Sequence, residues 1–357
     1  MNISAARAIE KKIGQFPRKN ILCLPTPFYK LEKLSADLGG PAIYVKRDDL
    51  TGQAFGGNKS RKLEFILGDA LNQGADVIVT WGSLQSNWCL QTAAAARRFG
   101  LKPVLILYKS YALPPGYDGN MLLEYILGAD IRIREAPCGK VVNADFALAA
   151  AEEIAEQERK KGHHPYIVAV GGSQVLGDMT LPLGAVGYVQ AYLEMRNQAA
   201  AEDVHIYYIL HATGSGGTQA GLTVAAKALA EGCRVLGIAV SDEKEAFARC
   251  VADISTAAVK ALGLPLEVGL KDVHVWDEYV QDGYGIVNRT VAEVIRRVFT
   301  AEGIVLDPVY TAKAAAGLID LAAKGYFRRE DNVVFLHTGG TPALFPNREK
   351  IVDCLMK

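Results

Sequence analysis

The sequence predicts an α/β protein of two open, mainly parallel twisted sheets with helices on both faces. Two observations lead there. Short apolar runs of strand length alternate with longer runs of helical period, with brief polar or glycine breaks between them. The chain also has 357 residues, 50% of them hydrophobic, which is long for one core and points to two domains.

The elements follow in order. Pro25-Thr26-Pro27 fixes an extended entry, because each proline sets its own φ and biases the residue before it. Residues 31–38 read as a short helix closed by Gly39-Gly40. Residues 42–46 read as a strand running into Arg47-Asp48-Asp49, a polar cluster whose ordinary use is to brace a loop. After a glycine-lysine stretch the alternation sets in: strand 77–81, helix 87–99, strand 103–108, helix 121–127, strand 131–133, the alanine-rich helix 142–161, and strand 166–170 ending in Gly171-Gly172-Ser173. A second series brings helix 185–195, strand 205–210, the loop 213–218, helix 219–229 and strand 234–240. Helices 243–262, 287–300 and 311–323 follow, then strand 332–336 ending in His337-Thr338-Gly339-Gly340-Thr341. In such sheets ligands sit beyond the carboxyl ends of the strands. The loops carrying Lys59, Ser86, Gly171, Gly214 and Thr338 fall at or beside such ends.

Composition excludes several classes. Lysine plus arginine and aspartate plus glutamate number 39 each, and no basic run is long enough for a nucleic-acid patch. Residues 1–16 have no apolar centre and do not read as a signal peptide. No apolar run approaches the ~18 residues of a membrane span. The six cysteines (Cys23, Cys89, Cys138, Cys233, Cys250, Cys354) are scattered without a C-x-x-C pair, which argues against a zinc site or a disulfide framework and suits the cytoplasm. The histidines lack metal-ligand spacing, and His211 and His337, at strand ends, read as satisfied structural residues.

The chain is organised around Gly56-Gly57-Asn58-Lys59-Ser60-Arg61-Lys62-Leu63-Glu64. Two glycines allow a tight bend, and Leu63, Ile66, Leu67, Ala70 and Leu71 mark a helix that begins at Lys59. A helix N-terminus disfavours an ammonium there, and Arg61 and Lys62 push the same way. A neutral lysine amine can condense with an aldehyde. A basic first turn facing water remains the alternative. Thr213-Gly214-Ser215-Gly216-Gly217-Thr218, between strand and helix, fits a phosphate, since glycines let N–H groups converge at a helix start. It is neither a P-loop nor a dinucleotide fingerprint; an ordinary tight turn is the alternative. Ser86 and Asn87 either cap a helix or face the same cleft as Lys59. Tyr284, between two glycines, and Tyr310, at a helix mouth, are either reactive hydroxyls or half-buried core residues. A reactive lysine, a phosphate cradle without a nucleotide signature and no metal set together point to pyridoxal 5'-phosphate (PLP), which carries one aldehyde and one phosphate.

These residues also carry a family likeness. Leu24-Pro25-Thr26-Pro27, the segment 46–51, Gly57 to Glu64, Gln85-Ser86-Asn87, the loop 213–218, Asp307-Pro308-Val309-Tyr310 and His337-Thr338-Gly339-Gly340 occur in this order. The chain resembles the D-cysteine desulfhydrase and 1-aminocyclopropane-1-carboxylate (ACC) deaminase family of fold-type II PLP enzymes, which are tryptophan-synthase-β-like, over nearly its whole length. The resemblance implies a large PLP-binding domain of residues 1–62 and 171–357, a small domain of 63–170, and a homodimer. It implies that Lys59 holds the cofactor through an imine and shuttles the α-proton, and that Ser86 approaches the substrate. Asn87 would bond the ring hydroxyl. Lys62, Gly214, Ser215, Gly216, Gly217 and Thr218 would bind phosphate, and Tyr284 and Tyr310 would be the active-site tyrosines. Thr338 would neighbour the pyridine nitrogen and, being neutral, leave it largely unprotonated.

Three departures bear on the substrate. ACC deaminases carry glutamate directly after the second tyrosine, where this chain has Thr311, which favours β-elimination. Trp88 follows Ser86-Asn87 where histidine or glutamine is usual, and either reshapes the pocket or packs behind it. The segment 171–184 is longer than the usual form. The expected activity is elimination from a small β-substituted amino acid such as D-cysteine; cysteate-type sulfo-lyase chemistry and ACC deamination are the alternatives. A non-enzymatic relative whose pocket Trp88 closes is a third reading.

Overall fold

The computed structural model describes residues 3–113, 116–137 and 141–356; Met1 and Cys138, which enter the readings above, lie outside them. The strands are β1 (Phe28–Lys30), β2 (Ala42–Arg47), β3 (Val77–Ser83), β4 (Lys102–Lys109), β5 (Asp130–Glu135), β6 (Pro165–Ile167), β7 (Tyr208–Thr213), β8 (Arg234–Ala239), β9 (His274–Trp276) and β10 (Asn332–His337). The helices are α1 (Ile3–Ile13), α2 (Glu32–Leu38), α3 (Lys59–Asn72), α4 (Asn87–Arg98), α5 (Gly119–Ile126), α6 (Ala144–Lys160), α7 (Leu183–Ala201), α8 (Gly217–Leu229), α9 (Lys244–Ala261), α10 (Arg289–Glu302), α11 (Thr311–Ala323) and α12 (Arg348–Met356).

Two sheets form, as the alternation predicts. One has the order β1-β2-β10-β7-β8-β9 and the other β5-β4-β3-β6. Among these strands only the pairing of β1 with β2 is antiparallel, and an isolated antiparallel bridge joins Val168 to Gly177. β3 is buried at every position, as a parallel strand covered on both faces must be. Its Val77, Val79 and Trp81 pack with Ala147 and Ala151 of α6, while Ile78 joins the cluster that holds Cys89, Ala93 and Ala96 of α4. The alternation did not reveal β1 or β9, each three residues long, nor the terminal helices α1 and α12. Such short strands carry too few residues for a period to emerge.

Helix α7 is apolar and buried on nearly every side. Helices α3 and α8 approach it backbone to backbone. A Cβ on Gly187 would stand 2.5 Å from Arg61 O, and one on Gly221 would stand 2.2 Å from Ala185 O. The first turns of α3 and α8 thereby reach the same cleft.

A buried ion network sets how α3 lies on α7. Asp48 accepts from Arg61 Nε and Nη2 at 2.8 Å each, from Tyr188 at 2.7 Å and from Thr26 at 2.9 Å. Glu194 accepts from Arg61 Nη1 at 3.0 Å and from Lys46 at 2.6 Å. So Arg47-Asp48-Asp49 braces structure, as expected, and Arg61 belongs to the brace. The Arg61 guanidinium holds the Asp48 carboxyl below its usual range against the opposing effect of burial, and holds Glu194 down likewise. Removing one member of a buried pair costs about 3–5 kcal/mol. Arg61→Ala is expected to lower the unfolding free energy measured in urea by that order at pH 7. Both carboxyls are depressed in the folded state. Their contribution is therefore complete above the ordinary carboxylate range and is lost as pH falls through the folded values. The wild type is expected to lose more stability on acidification than Arg61→Ala. An Arg61→Ala protein as stable as the wild type would refute this account.

Candidate active site

The site begins at a bend. Gly56 has φ +72°, and a Cβ there would lie 1.8 Å from Asp49 O, so only glycine permits the crossing. Helix α3 starts three residues later, at Lys59. Successive side chains then turn about 100° apart. Lys59 faces the cleft, and Arg61 enters the ion network. Lys62, one turn after Lys59, donates to Gly171 O at 3.0 Å and Ser173 Oγ at 3.3 Å.

One interior cleft of about 940 Å³, measured out to solvent, collects most of the residues singled out from sequence. Lys59, Ser86, Asn87, Gly214, Ser215, Gly216, Thr218, Tyr284, Tyr310 and Thr338 all line it. Lys62 and Gly217 do not. Lys62 stands one layer behind, where a Cβ on Gly217 would come within 3.1 Å of its amine. It supports the cradle from beneath rather than opening into the cleft.

Burial pulls the Lys59 amine down to about 8, with Asp307 opposing. The cause differs from that expected: enclosure by the protein, not the helix end or neighbouring bases. Lys59 Nζ donates to Asn58 Oδ1 at 2.9 Å, and Asn58 Nδ2 donates to Thr218 Oγ1 at 3.1 Å. Asn58 thus ties the lysine to the first turn of α8. Lys62 is pushed well below the usual lysine range, by burial and then by Lys59. Among the described residues no carboxylate pairs with it.

The loop after β7 gives the cleft the start of α8, preceded by Gly216 and without a side-chain cap. Its N–H groups and the helix end suit an anion. Ser215 shares a 2.9 Å hydrogen bond with Ser173, so the turn held by Lys62 is fastened to this cradle. Ser86 does cap α4, accepting from Cys89 N–H at 3.2 Å, yet it lines the cleft too; the two readings of it coexist. The Cys89 thiol also lies within hydrogen-bond reach of the Ser86 hydroxyl. Asn87 Oδ1 accepts from Asn120 Nδ2 at 2.8 Å.

Neither tyrosine is isolated. Ser83 Oγ meets Tyr284 OH at 3.1 Å, and Tyr284 OH meets Tyr310 OH at 2.5 Å, a row of three hydroxyls. Burial raises both phenols, Tyr310 well above the ordinary value, so both keep their protons near neutrality. Asp307 also sits close, but its carboxylate accepts from Val309, Tyr310 and Thr311 N–H and from the Thr311 hydroxyl at 2.7 Å. Thr311 is therefore turned into that cap and does not line the cleft. Trp88 does both things proposed for it. It lines the cleft, and its indole N–H donates to Thr80 Oγ1 at 2.7 Å in the core. His337 is satisfied, bonded to Val305 O at 3.0 Å and accepting from Gly339 N–H at 3.2 Å. His211 is not. Its Nδ1 meets Ala212 O at 2.8 Å while Nε2 has no partner, and burial lowers it to about 4, which keeps it neutral. Sequence reasoning missed Asn58, Ser83, Asn120 and Asp307. Asn58, Ser83 and Asp307 lie in or beside segments already singled out and were within reach; nothing local marks Asn120. Among the described residues no group of His, Cys, Asp or Glu is placed to hold a metal, and no helix is long and apolar enough to cross a membrane.

The family model described as pyridoxal-phosphate dependent enzyme matches residues 21–339. A protein of Pyrococcus horikoshii named "Putative 1-aminocyclopropane-1-carboxylate deaminase" is 38% identical over 96% of this chain and 98% of its own. The D-cysteine desulfhydrase of Salmonella choleraesuis is 39% identical over 93% of this chain and 97% of its own. A crystal structure of an ACC deaminase homologue, 38% identical, superposes with a TM-score of 0.87 over 97% of this chain and 99% of the other. The chain belongs to the pyridoxal-phosphate dependent enzymes of fold type II, in the group that includes D-cysteine desulfhydrases and ACC deaminase homologues. The residues present fit PLP: a lysine amine of lowered basicity and a helix start for an anion border one cleft and are bridged by Asn58.

In the cofactor-free protein, amine-selective labelling followed by peptide mapping is expected to show Lys59 half-reactive near pH 8. A free lysine peptide labelled alongside, with its ordinary value of ~10.4, gives the reference. A Lys59 that titrates with that peptide would show that burial does not lower its basicity.

Proposed function

We propose that the chain catalyses PLP-dependent α,β-elimination from a β-substituted amino acid, in the manner of a D-cysteine desulfhydrase. D-Cysteine and water would give pyruvate, ammonia and hydrogen sulfide. The observation that carries this choice is the character of the cleft: none of its described lining residues is a carboxylate. Asp307 is engaged by three N–H groups and a hydroxyl, and Thr311 faces it rather than the substrate space. Opening an unactivated ring calls for more acid–base help than expelling a thiol. The desulfhydrase names among the relatives agree with this reading.

When bound, PLP supplies the electron sink that makes the hydrogen on the substrate α-carbon removable. Lys59 Nζ, steered by Asn58 Oδ1, is the base for that proton. Ser86, whose oxygen already accepts from Cys89 N–H, turns its proton to the substrate carboxylate. The start of α4 adds N–H donors beside it. Tyr284 and Tyr310, kept protonated by burial and hydrogen-bonded to each other, with Ser83 on the far side of Tyr284, pass a proton to the departing β-substituent. Gly214 to Thr218 would hold the phosphate, with the buried Lys62 amine behind them. Thr338 would neighbour the ring nitrogen, where its neutral hydroxyl would keep the sink moderate. The reading includes a cytoplasmic homodimer with residues 1–62 and 171–357 as the cofactor domain and 63–170 as the small domain. The alternatives are ACC deamination and a cysteate-type reaction. Thr311→Glu is no simple restoration of an ACC deaminase, since the new carboxylate would start from the Asp307 cap.

Purified wild type is expected to carry violet absorption that Lys59→Ala abolishes. Keto-acid analysis should find pyruvate from D-cysteine or β-chloroalanine and little 2-oxobutanoate from ACC. Tyr310→Phe should lower kcat about a hundredfold with KM little changed. More 2-oxobutanoate from ACC than pyruvate from any β-substituted alanine would overturn the assignment.

A further inference from the structure

The amide of Asn87 can meet a ligand with its oxygen or with its nitrogen. That choice decides whether the cleft offers an acceptor or a donor at this point, and it is made outside the cleft. Asn120, in the first turn of α5, is fully buried. Its Nδ2 donates to the main-chain carbonyl of Gln85 at 2.9 Å and to Asn87 Oδ1 at 2.8 Å. A main-chain carbonyl only accepts. Asn120 must therefore turn its nitrogen toward Gln85 O. The second hydrogen of that nitrogen is directed at Asn87, which answers with oxygen. With its oxygen turned to Asn120, Asn87 directs the other end of its amide, the two-donor NH₂ group, away from that residue.

Asn120 is itself held in place. Its N–H donates to Gln85 Oε1 at 2.7 Å, and Gln85 Nε2 donates to Asp118 O at 2.9 Å. The residue between has no room for a side chain: a Cβ on Gly119 would lie 2.5 Å from Gln85 Oε1 and 2.7 Å from Pro342 O. Asn120 Oδ1 has no partner, so the amide is held by its donors alone. Gln85-Ser86-Asn87 and Asp118-Gly119-Asn120 thus form one interlocked unit, although 33 residues separate Asn87 from Asn120.

We propose that Asn120 is a positioning residue for the cofactor. By donating to Asn87 Oδ1 it obliges Asn87 to present N–H donors to the cleft, and so sets the site to receive an anionic oxygen such as that on the PLP ring. The inference rests on the reading that Asn87 meets the bound cofactor. A residue that merely packed α5 against α4 would contribute stability but not polarity.

The test measures PLP binding to the apoprotein by equilibrium dialysis, with the absorption of the bound cofactor as a second readout. Asn120→Ala is expected to weaken PLP binding about tenfold, the effect of losing one well-oriented bond to a charged group. Asn87→Ala should weaken it similarly, and the double variant should bind no worse than Asn87→Ala alone. Asn87→Asp keeps an acceptor for Asn120 but shows the cleft an oxygen. It should bind PLP more weakly than Asn87→Ala at pH 8 and shift the absorption maximum. If the Asn120→Ala loss persists at full size in the Asn87→Ala background, Asn120 acts by packing and the proposal fails. It fails equally if Asn87→Asp binds PLP as well as the wild type. Should Asn120→Ala not fold, the Asn87→Asp arm decides alone. If Asn87→Ala binds PLP unchanged, Asn87 is no cofactor contact, and the earlier reading of that residue falls with this one.

Discussion

The guanidinium of Arg61, bridged between Asp48 and Glu194, fixes the roll of α3 on α7, and the direction of every neighbouring side chain follows from it. A helix turns about 100° per residue. Once residue 61 points into the ion network, residue 59 has no choice but the cleft, and residue 62 no choice but the turn at Gly171. Three consecutive-looking basic residues thereby acquire three unrelated jobs. Thr26, Lys46 and Tyr188 satisfy the remaining oxygens, so the two buried carboxylates are not left short of donors.

Magnitudes decide what makes the Lys59 amine nucleophilic. A helix end is worth about 0.3–1 kcal/mol at its first turn. Lowering an amine from 10.5 to about 8 corresponds to on the order of 3 kcal/mol. Desolvation supplies the larger part, and Asp307 works against it. Enclosure therefore does the chemistry that charge repulsion had been expected to do. The same enclosure keeps both tyrosine hydroxyls protonated, so one physical cause lowers the amine's basicity and holds the phenol protons.

Hydrogen-bond polarity is the other thread. Ser86 and Asn87 each accept one bond from the protein while lining the cleft, whereas Asn58 spends both its polar groups, on Lys59 and Thr218. Thr311 spends its hydroxyl wholly on Asp307, which is why the position after Tyr310 contributes no acid to the cleft. Trp88 is anchored through Thr80 into the core, so the ring is a fixed wall rather than a movable plug. That favours an open, working pocket over a closed relative.

Much was legible from the chain alone. Alternating periods foretold both sheets and their parallel sense. Gly56-Gly57 before a helical pattern foretold the bend, and the glycine turn after β7 foretold the helix start that lines the cleft. These are local features, and local backbone geometry is written in neighbouring residues. The terminal helices and the short strands β1 and β9 escaped, the strands because so few residues carry no period. What tertiary structure alone decided is which groups face one another. Lys62 proved to stand behind the cradle, and His211 proved to lack a second partner. Asn120 reaches Asn87 from 33 positions away. The reason is physical: burial and hydrogen-bond direction depend on the packing of α3, α7 and α8 and on how α5 locks to the turn before α4. No window of sequence contains those distances.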